Sequence, residues 1–314
     1  MGSGGGRGRR AAALIAVAAA LLASACSGPG GPNPSALEDD AVTVASFNFP
    51  ESVLLAELYA QALEAHGFRV DRKLDLGTRE IVEPALERGL VELVPEYGGS
   101  LLEFLAGQNS AGPDAEDVHH RLASALQGRG IVALDAAPAQ DQNGVVVTRT
   151  TADRYGVRTI SDLAPIADGL TFGGPPECRV RPLCLPGLAS AYGLTFASFV
   201  PLDEGGPLTI AALQEEHVQV AVMFTSDGAI EANDLVVLTD DRHLQPAENV
   251  TPVVRQETLQ RLDPQLAEIV NSVSALLTTH GLRQLNAEVS SGDRTVGEIA
   301  ADWLRSHGLT GPVG

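Results

Sequence analysis

At 314 residues with 44% hydrophobic side chains, the chain can bury a real core and divide into about two domains, which excludes a disordered tail or a disulfide mini-scaffold. Its 40 acidic residues against 21 basic ones give a net charge of −19, which leaves no basic face for a phosphate backbone and excludes nucleic acid as a partner. Aromatic residues make up only 4%, so any ring in a binding loop is a scarce resource.

The chain opens with Arg7, Arg9 and Arg10 and then runs apolar from residue 11 to 25, the charged and hydrophobic parts of a secretory signal. Fifteen residues is short for a membrane span. The run ends in Leu22-Ala23-Ser24-Ala25-Cys26, which resembles the lipobox of bacterial lipoproteins. That resemblance implies a signal over residues 1–25, a diacylated Cys26 and a body held at the outer face of the cell membrane; plain secretion and a retained anchor are the other readings. Residues 26–40, rich in Gly, Pro and Ser, read as a flexible tether.

From residue 41 short β-type runs alternate with helical patterns. Residues 42–45 predict a strand and 51–66 an amphipathic helix stopped by Gly67; 68–76, 79–88 and 91–94 continue as strand, helix and buried strand, the last running into Pro95-Glu96-Tyr97-Gly98-Gly99. Residues 114–127 predict a helix and 131–134 a strand. A second cycle starts after Asp141-Gln142-Asn143-Gly144, with strands expected at 145–147, 171–173, 198–200 and 218–224 and helices near 185–192 and 208–216. Strands at 235–238 and 252–255 lead back, and residues 258–309 are mostly helical, with a capping-box start at Thr295 and Glu298. Such alternation predicts an α/β fold of two lobes, each a mostly parallel sheet flanked by helices, with a ligand cleft between them. The expected division is 41–144 with 249–314 for lobe I and 145–248 for lobe II.

Cys178 and Cys184, six positions apart, are expected to form a disulfide outside the cytoplasm. Free thiols are a second reading and a metal ion a third, although no histidine lies near either cysteine. The body contains no H-E-x-x-H pair, G-x-S-x-G elbow or P-loop, so neither enzyme chemistry nor a cofactor is expected, and an extracytoplasmic enzyme on the same fold is the remote alternative.

Several segments, in this order, carry a family resemblance: residues 51–59, Leu76-Gly77-Thr78-Arg79-Glu80, Val94-Pro95-Glu96-Tyr97-Gly98-Gly99-Ser100, Ser161-Asp162-Leu163, Pro186-Gly187-Leu188, Thr225-Ser226-Asp227-Gly228 and residues 236–241. Over residues 42–309 the chain resembles the substrate-binding lipoproteins of osmoprotectant ABC importers, the glycine betaine, choline and carnitine group. The resemblance implies a two-lobe periplasmic-binding-protein fold that closes on a small molecule as a monomer and delivers it to a membrane permease. It also implies an aromatic cage for a quaternary ammonium, held by ring quadrupoles. Tyr97 matches one cage position; Gly144, Leu208-Thr209-Ile210 and Pro246-Ala247-Glu248-Asn249 stand where rings are usual. The expected ligand-binding residues are therefore Tyr97, Asp227, Gln142, Asn143, Thr78, Asn48, Thr209 and Glu248. A lining so rich in amides, hydroxyls and carboxylates keeps open a hydroxyl-bearing ligand, a polyol, sugar-like compound or phenolic.

Overall fold

The structure is a computed structural model that describes residues 41–203, 205–262 and 264–311, together with Met1 and Gly2. The expected signal, Cys26 and the tether lie outside the described residues. The described residues from 41 to 311 form one compact unit. No helix among the described residues is long and apolar enough to cross a membrane.

The first sheet begins with β1 (Ala41–Ala45), buried throughout, and is followed by helix α1 (Pro50–Ala65), which Pro50 starts at a position where its missing N–H costs nothing. Strand β2 (Arg69–Lys73), helix α2 (Arg79–Glu87), strand β3 (Leu93–Tyr97), helices α3 (Gly98–Ala106) and α4 (Ala115–Leu126) and strand β4 (Ile131–Ala133) complete the first pass. Asp114 caps α4 by accepting from Asp117 N at 2.8 Å. The charged sequence of β2 suits its place at the sheet edge, where arginine, aspartate and lysine discourage pairing with another chain.

The second sheet is built from β5 (Asn143–Thr148), β6 (Thr171–Gly174), β7 (Ser198–Pro201), β8 (Val220–Phe224) and β9 (Leu235–Val237), with α5 (Arg149–Tyr155), α6 (Leu185–Tyr192), α7 (Pro207–Gln214) and α8 (Ala229–Ala232) between them. The chain then returns through β10 (Val250–Arg255) and ends in α9 (Gln256–Arg261), α10 (Gln265–Leu276), α11 (Thr279–Ser291) and α12 (Val296–Ser306). Thr295 and Glu298 form the capping box expected ahead of α12.

Strand order is β2-β1-β3-β10-β4 in the first sheet and β7-β6-β8-β5-β9 in the second. The same plan occurs twice, and in each the strand that arrives from the other sheet enters antiparallel: β10 against β3 and β4, β5 against β8 and β9. Both sheets are therefore mixed, because a chain that crosses at the carboxyl ends of one sheet must enter its neighbour from that same end. Strand β3 also runs through Pro95 to Tyr97, beyond the strand end expected at residue 94. Gly98 N donates to Asn249 O at 2.9 Å, so by alternation Pro95 and Pro252 face each other at a non-hydrogen-bonded pair, and neither strand asks the other for a donor there.

Each sheet is covered on both faces. Leu54, Leu58, Ile269, Val273 and Ile299 pack one face of the first sheet; Val82, Leu86, Leu101 and Leu122 pack the other. Phe172, Leu188 and Val220 lie in one core of the second sheet, and Leu213, Ala221 and Met223 in the other. A disulfide joins Cys178 to Cys184 in the loop between β6 and α6.

Candidate functional site

Two crossing segments join the sheets, and they pair with each other. Gln140 and Asn249 form an isolated antiparallel bridge, Asp141 N donates to Glu248 O at 3.1 Å, and Gln142 Nε2 donates to Pro246 O at 2.6 Å. Gln142 N also donates to Thr225 Oγ1 at 2.9 Å, which ties the outgoing segment to the end of β8. Loops at the carboxyl ends of both sets of strands converge here, the usual place for a ligand in open α/β sheets.

On the first-sheet side, the segment between β1 and α1 carries Phe47 and Phe49, whose rings stack at 5.9 Å, and Phe49 meets Tyr97 at 6.1 Å. The Tyr97 hydroxyl donates to Glu51 Oε1 at 2.5 Å. Glu51 Oε2 accepts from Asn286 Nδ2 of α11 at 2.5 Å, and the same amide donates to Ser226 O beyond β8 at 2.8 Å. A chain of hydrogen bonds thus runs from β3 through α1 and α11 to the second sheet. Gly228 lies directly against the α11 backbone at Ala287, and Glu231 of α8 pairs with Arg283 and with His280 of α11, each at 3.2 Å.

These residues enclose a cavity of about 460 Å³ lined by Phe49, Glu51, Asp141, Phe224, Asp227 and Asn286, among others. Phe49 and Phe224 keep 38% and 40% of their surface exposed, and both line this cavity. One carboxylate oxygen of Asp141 is buried without a hydrogen-bond partner.

Electrostatically the site is acidic, and its carboxyls are buried. Burial pushes Glu51 above the ordinary carboxylate range, against the hydrogen bonds from Tyr97, Ser226 and Asn286 that pull it down. Burial, with Glu51 nearby, pushes Asp141 up to about 8, and burial pushes Glu248 up to about 7. Asp227 is also raised by burial. Burial and the neighbouring Glu51 hold the Tyr97 hydroxyl firmly protonated. Arg79 offsets part of this excess by pulling Glu248 down, while its guanidinium makes a two-pronged pair with Glu96 at 2.9 and 2.8 Å and lies 5.3 Å from the Phe47 ring centre. Among the described residues no group of His, Cys, Asp or Glu could hold a metal ion. What the arrangement can do is hold a cation between rings and carboxylates.

The eight residues expected from sequence are distributed around this centre rather than gathered in it. Asp227 lines the cavity, and Tyr97 stands behind it, touching it through Phe49 and Glu51. Gln142 and Glu248 sit on the crossing segments; Glu248 accepts from Ser100 N and Ser100 Oγ, both at 2.9 Å. Asn143 lines a second cavity of about 290 Å³ beside the disulfide, with Glu103, Gln108, Asn109 and Arg181. Thr78 precedes α2 without capping it by its side chain, and Asn48 is exposed, its backbone N–H donating to Gly77 O at 3.1 Å. Thr209 is fully buried, and its hydroxyl is bound to Asp203 O at 2.6 Å and Asp203 Oδ1 at 2.8 Å. Thr209 therefore shapes the start of α7 and offers no free donor to a ligand.

Sequence reasoning missed Glu51, Asp141 and Asn286 as polar members of the site. Glu51 opens the segment 51–59 and Asp141 opens Asp141-Gln142-Asn143-Gly144, both singled out in the sequence, and that placement was the available signal. Asn286 had none, since it arrives from a helix 235 positions beyond Glu51.

Comparison with known proteins agrees with this geometry. A family described as the substrate binding domain of ABC-type glycine betaine transport systems matches residues 40–306. The glycine betaine-binding protein YehZ of Escherichia coli is 29% identical over 270 residues, 83% of this chain and 88% of that protein. A glycine-betaine-binding protein of Pseudomonas aeruginosa is 29% identical over 301 residues, 92% of this chain and 95% of its own length. A solved structure described as a glycine betaine/carnitine/choline ABC transporter superposes with a TM-score of 0.80 over 86% of this chain and 99% of its own at 24% identity, a likeness of fold.

Proposed function

Since this chain belongs to the family of substrate-binding domains of ABC-type glycine betaine transport systems, we propose that it captures a small quaternary-ammonium osmoprotectant outside the cytoplasm and delivers it to a membrane permease. It works as a monomer without catalysis or cofactor, anchored by lipid on Cys26. The crossing segments act as the hinge between lobe I (41–144 with 249–314) and lobe II (145–248), and closure traps the ligand. The single observation that carries the reading is the cavity in which Phe49 and Phe224 face the carboxylates of Glu51, Asp141 and Asp227. Phe49 and Phe224 supply rings that Gly144, Leu208-Thr209-Ile210 and Pro246-Ala247-Glu248-Asn249 lack.

A thermal-shift and calorimetric screen tests this. Choline, glycine betaine and carnitine are compared with polyols, sugars and phenolics; a ligand at 100 times its Kd adds about 2.7 kcal/mol to stability. A shift with at least one quaternary ammonium supports the reading, and shifts only with hydroxylated compounds defeat it. The second reading, a hydroxyl-rich ligand, draws on the other cavity, where Gln108, Asn109 and Asn143 present amides and no ring.

A further inference from the structure

Helix α11 presents one face to the core of the first sheet, where Leu282 and Leu285 are buried. His280, Arg283, Asn286 and Ser290, spaced three or four positions apart, share another face. That second face meets the segment running from the end of β8 into α8. Asn286 Nδ2 donates to Ser226 O at 2.8 Å, and Glu231 pairs with Arg283 and with His280, each at 3.2 Å.

Between these two contacts the backbones themselves touch. A Cβ on Gly228 would lie 2.2 Å from Ala287 N, 2.5 Å from Ala287 Cα and 2.6 Å from Asn286 C. Gly228 has φ −62° and ψ −24°, helical values that any residue adopts, so glycine stands here for space and not for backbone freedom. The atoms opposite belong to a helix backbone, which cannot turn aside as the end of a flexible side chain would.

Both sides of this contact carry walls of the cavity: Asn286, Val289 and Ser290 from α11, and Ser226, Asp227 and Gly228 from the segment that leads into α8. How closely that segment seats on α11 therefore fixes the gap between the two walls. Helix α11 is in turn fastened to the outgoing crossing segment, since Gln140 N donates to Thr279 Oγ1 at 3.0 Å. The ion pairs of Glu231 are partly exposed and weak by themselves, so they hold the seat while the bare backbone at Gly228 makes it possible.

We infer that the contact of Gly228 with the α11 backbone at Ala287 is a seat between the lobes that sets the width of the ligand cavity, with Glu231 as a positioning residue that holds α8 on it through Arg283 and His280. This rests on the reading of a two-lobe receptor given above and names the residues that fix its closed geometry.

Small-angle scattering of the ligand-free protein and calorimetry with choline test the seat. Gly228→Ala drives a methyl group into the α11 backbone, so the radius of gyration rises above that of the wild type and choline affinity falls about tenfold. Gly228 also lines the cavity, so the second variant is placed at a residue that does not. Glu231→Arg sets a cation against Arg283 and His280, raises the radius in the same way, weakens choline binding and serves if the alanine variant does not fold. Adding Arg283→Glu restores an ion pair and returns both quantities toward the wild type. An unchanged radius in folded Gly228→Ala overturns the inference, and so does a loss in Glu231→Arg that Arg283→Glu fails to repair. A wild type that binds no choline defeats the choline reading alone, and the radii of the free variants still decide the seat.

Discussion

The Tyr97 hydroxyl and the Glu51 carboxyl, 2.5 Å apart, join the end of β3 to the first turn of α1 beneath the ligand cavity. Tyr97 is thereby a positioning residue: it fixes the face of Glu51 that meets Asn286 and holds Phe49 by ring contact. Tyr97→Phe keeps the ring and deletes one hydrogen bond to a buried carboxyl, which costs about 1–3 kcal/mol of stability in urea unfolding. A loss below that range would mean that water replaces the hydroxyl at Glu51.

Asn286 donates both to Glu51 and to Ser226 O, and so links helix α11 to the end of β8 in the second sheet. Asn286→Ala leaves two acceptors without that donor and removes a contact that exists only when the two sheets sit in this arrangement. Ligand affinity is expected to fall about tenfold, equivalent to about 1.4 kcal/mol, while small-angle scattering of the free protein shows a larger radius of gyration. Unchanged affinity and radius would mean that the amide only tidies the helix.

The raised carboxyls give a pH dependence whose sign is unusual for an acidic protein. Asp141 near 8 and Glu248 near 7 in the fold compare with about 4 in the unfolded chain. Between those limits the folded state binds more protons than the unfolded one, so their contribution to stability falls as pH rises from about 4 to about 8. The urea midpoint of the free protein should decrease across this window, and a rise would refute the assignment. A permanent cation gains from the same ionisation. Choline affinity should therefore increase from pH 6 to pH 8, with proton release visible as a dependence of binding heat on the ionisation enthalpy of the buffer.

Much of the fold was legible because periodicity is local: the helix of residues 50–65 and the strand pair at 171–174 and 198–201 follow from spacing within a few turns of chain. The antiparallel entry of β5 and β10 was not legible, since direction in a sheet depends on where the crossing segments lie. Pro95 misled for the same reason: its tolerance inside β3 depends on Pro252, 157 residues away. At the site, Tyr97 could be named from its segment, but its partner Glu51 could not, and the hydroxyl of Thr209 is bound by the nearby Asp203. Polar side chains show what they can bind; only the fold shows what has already bound them.

The disulfide between Cys178 and Cys184 separates the two ligand readings. Closing so short a loop is worth roughly 2 kcal/mol on chain-entropy grounds, so reduction or Cys178→Ser with Cys184→Ser should lower Tm by a few degrees. Both cysteines line the cavity that contains Gln108, Asn109 and Asn143, and neither lines the one that contains Phe49 and Phe224. A quaternary ammonium held at the rings should bind the reduced protein with its affinity within about twofold of the oxidised one, a difference of about 0.4 kcal/mol. A ligand seated among the amides would lose its wall with the disulfide and bind several-fold more weakly. Equal loss of stability but opposite behaviour of affinity thus assigns the ligand to one cavity or the other.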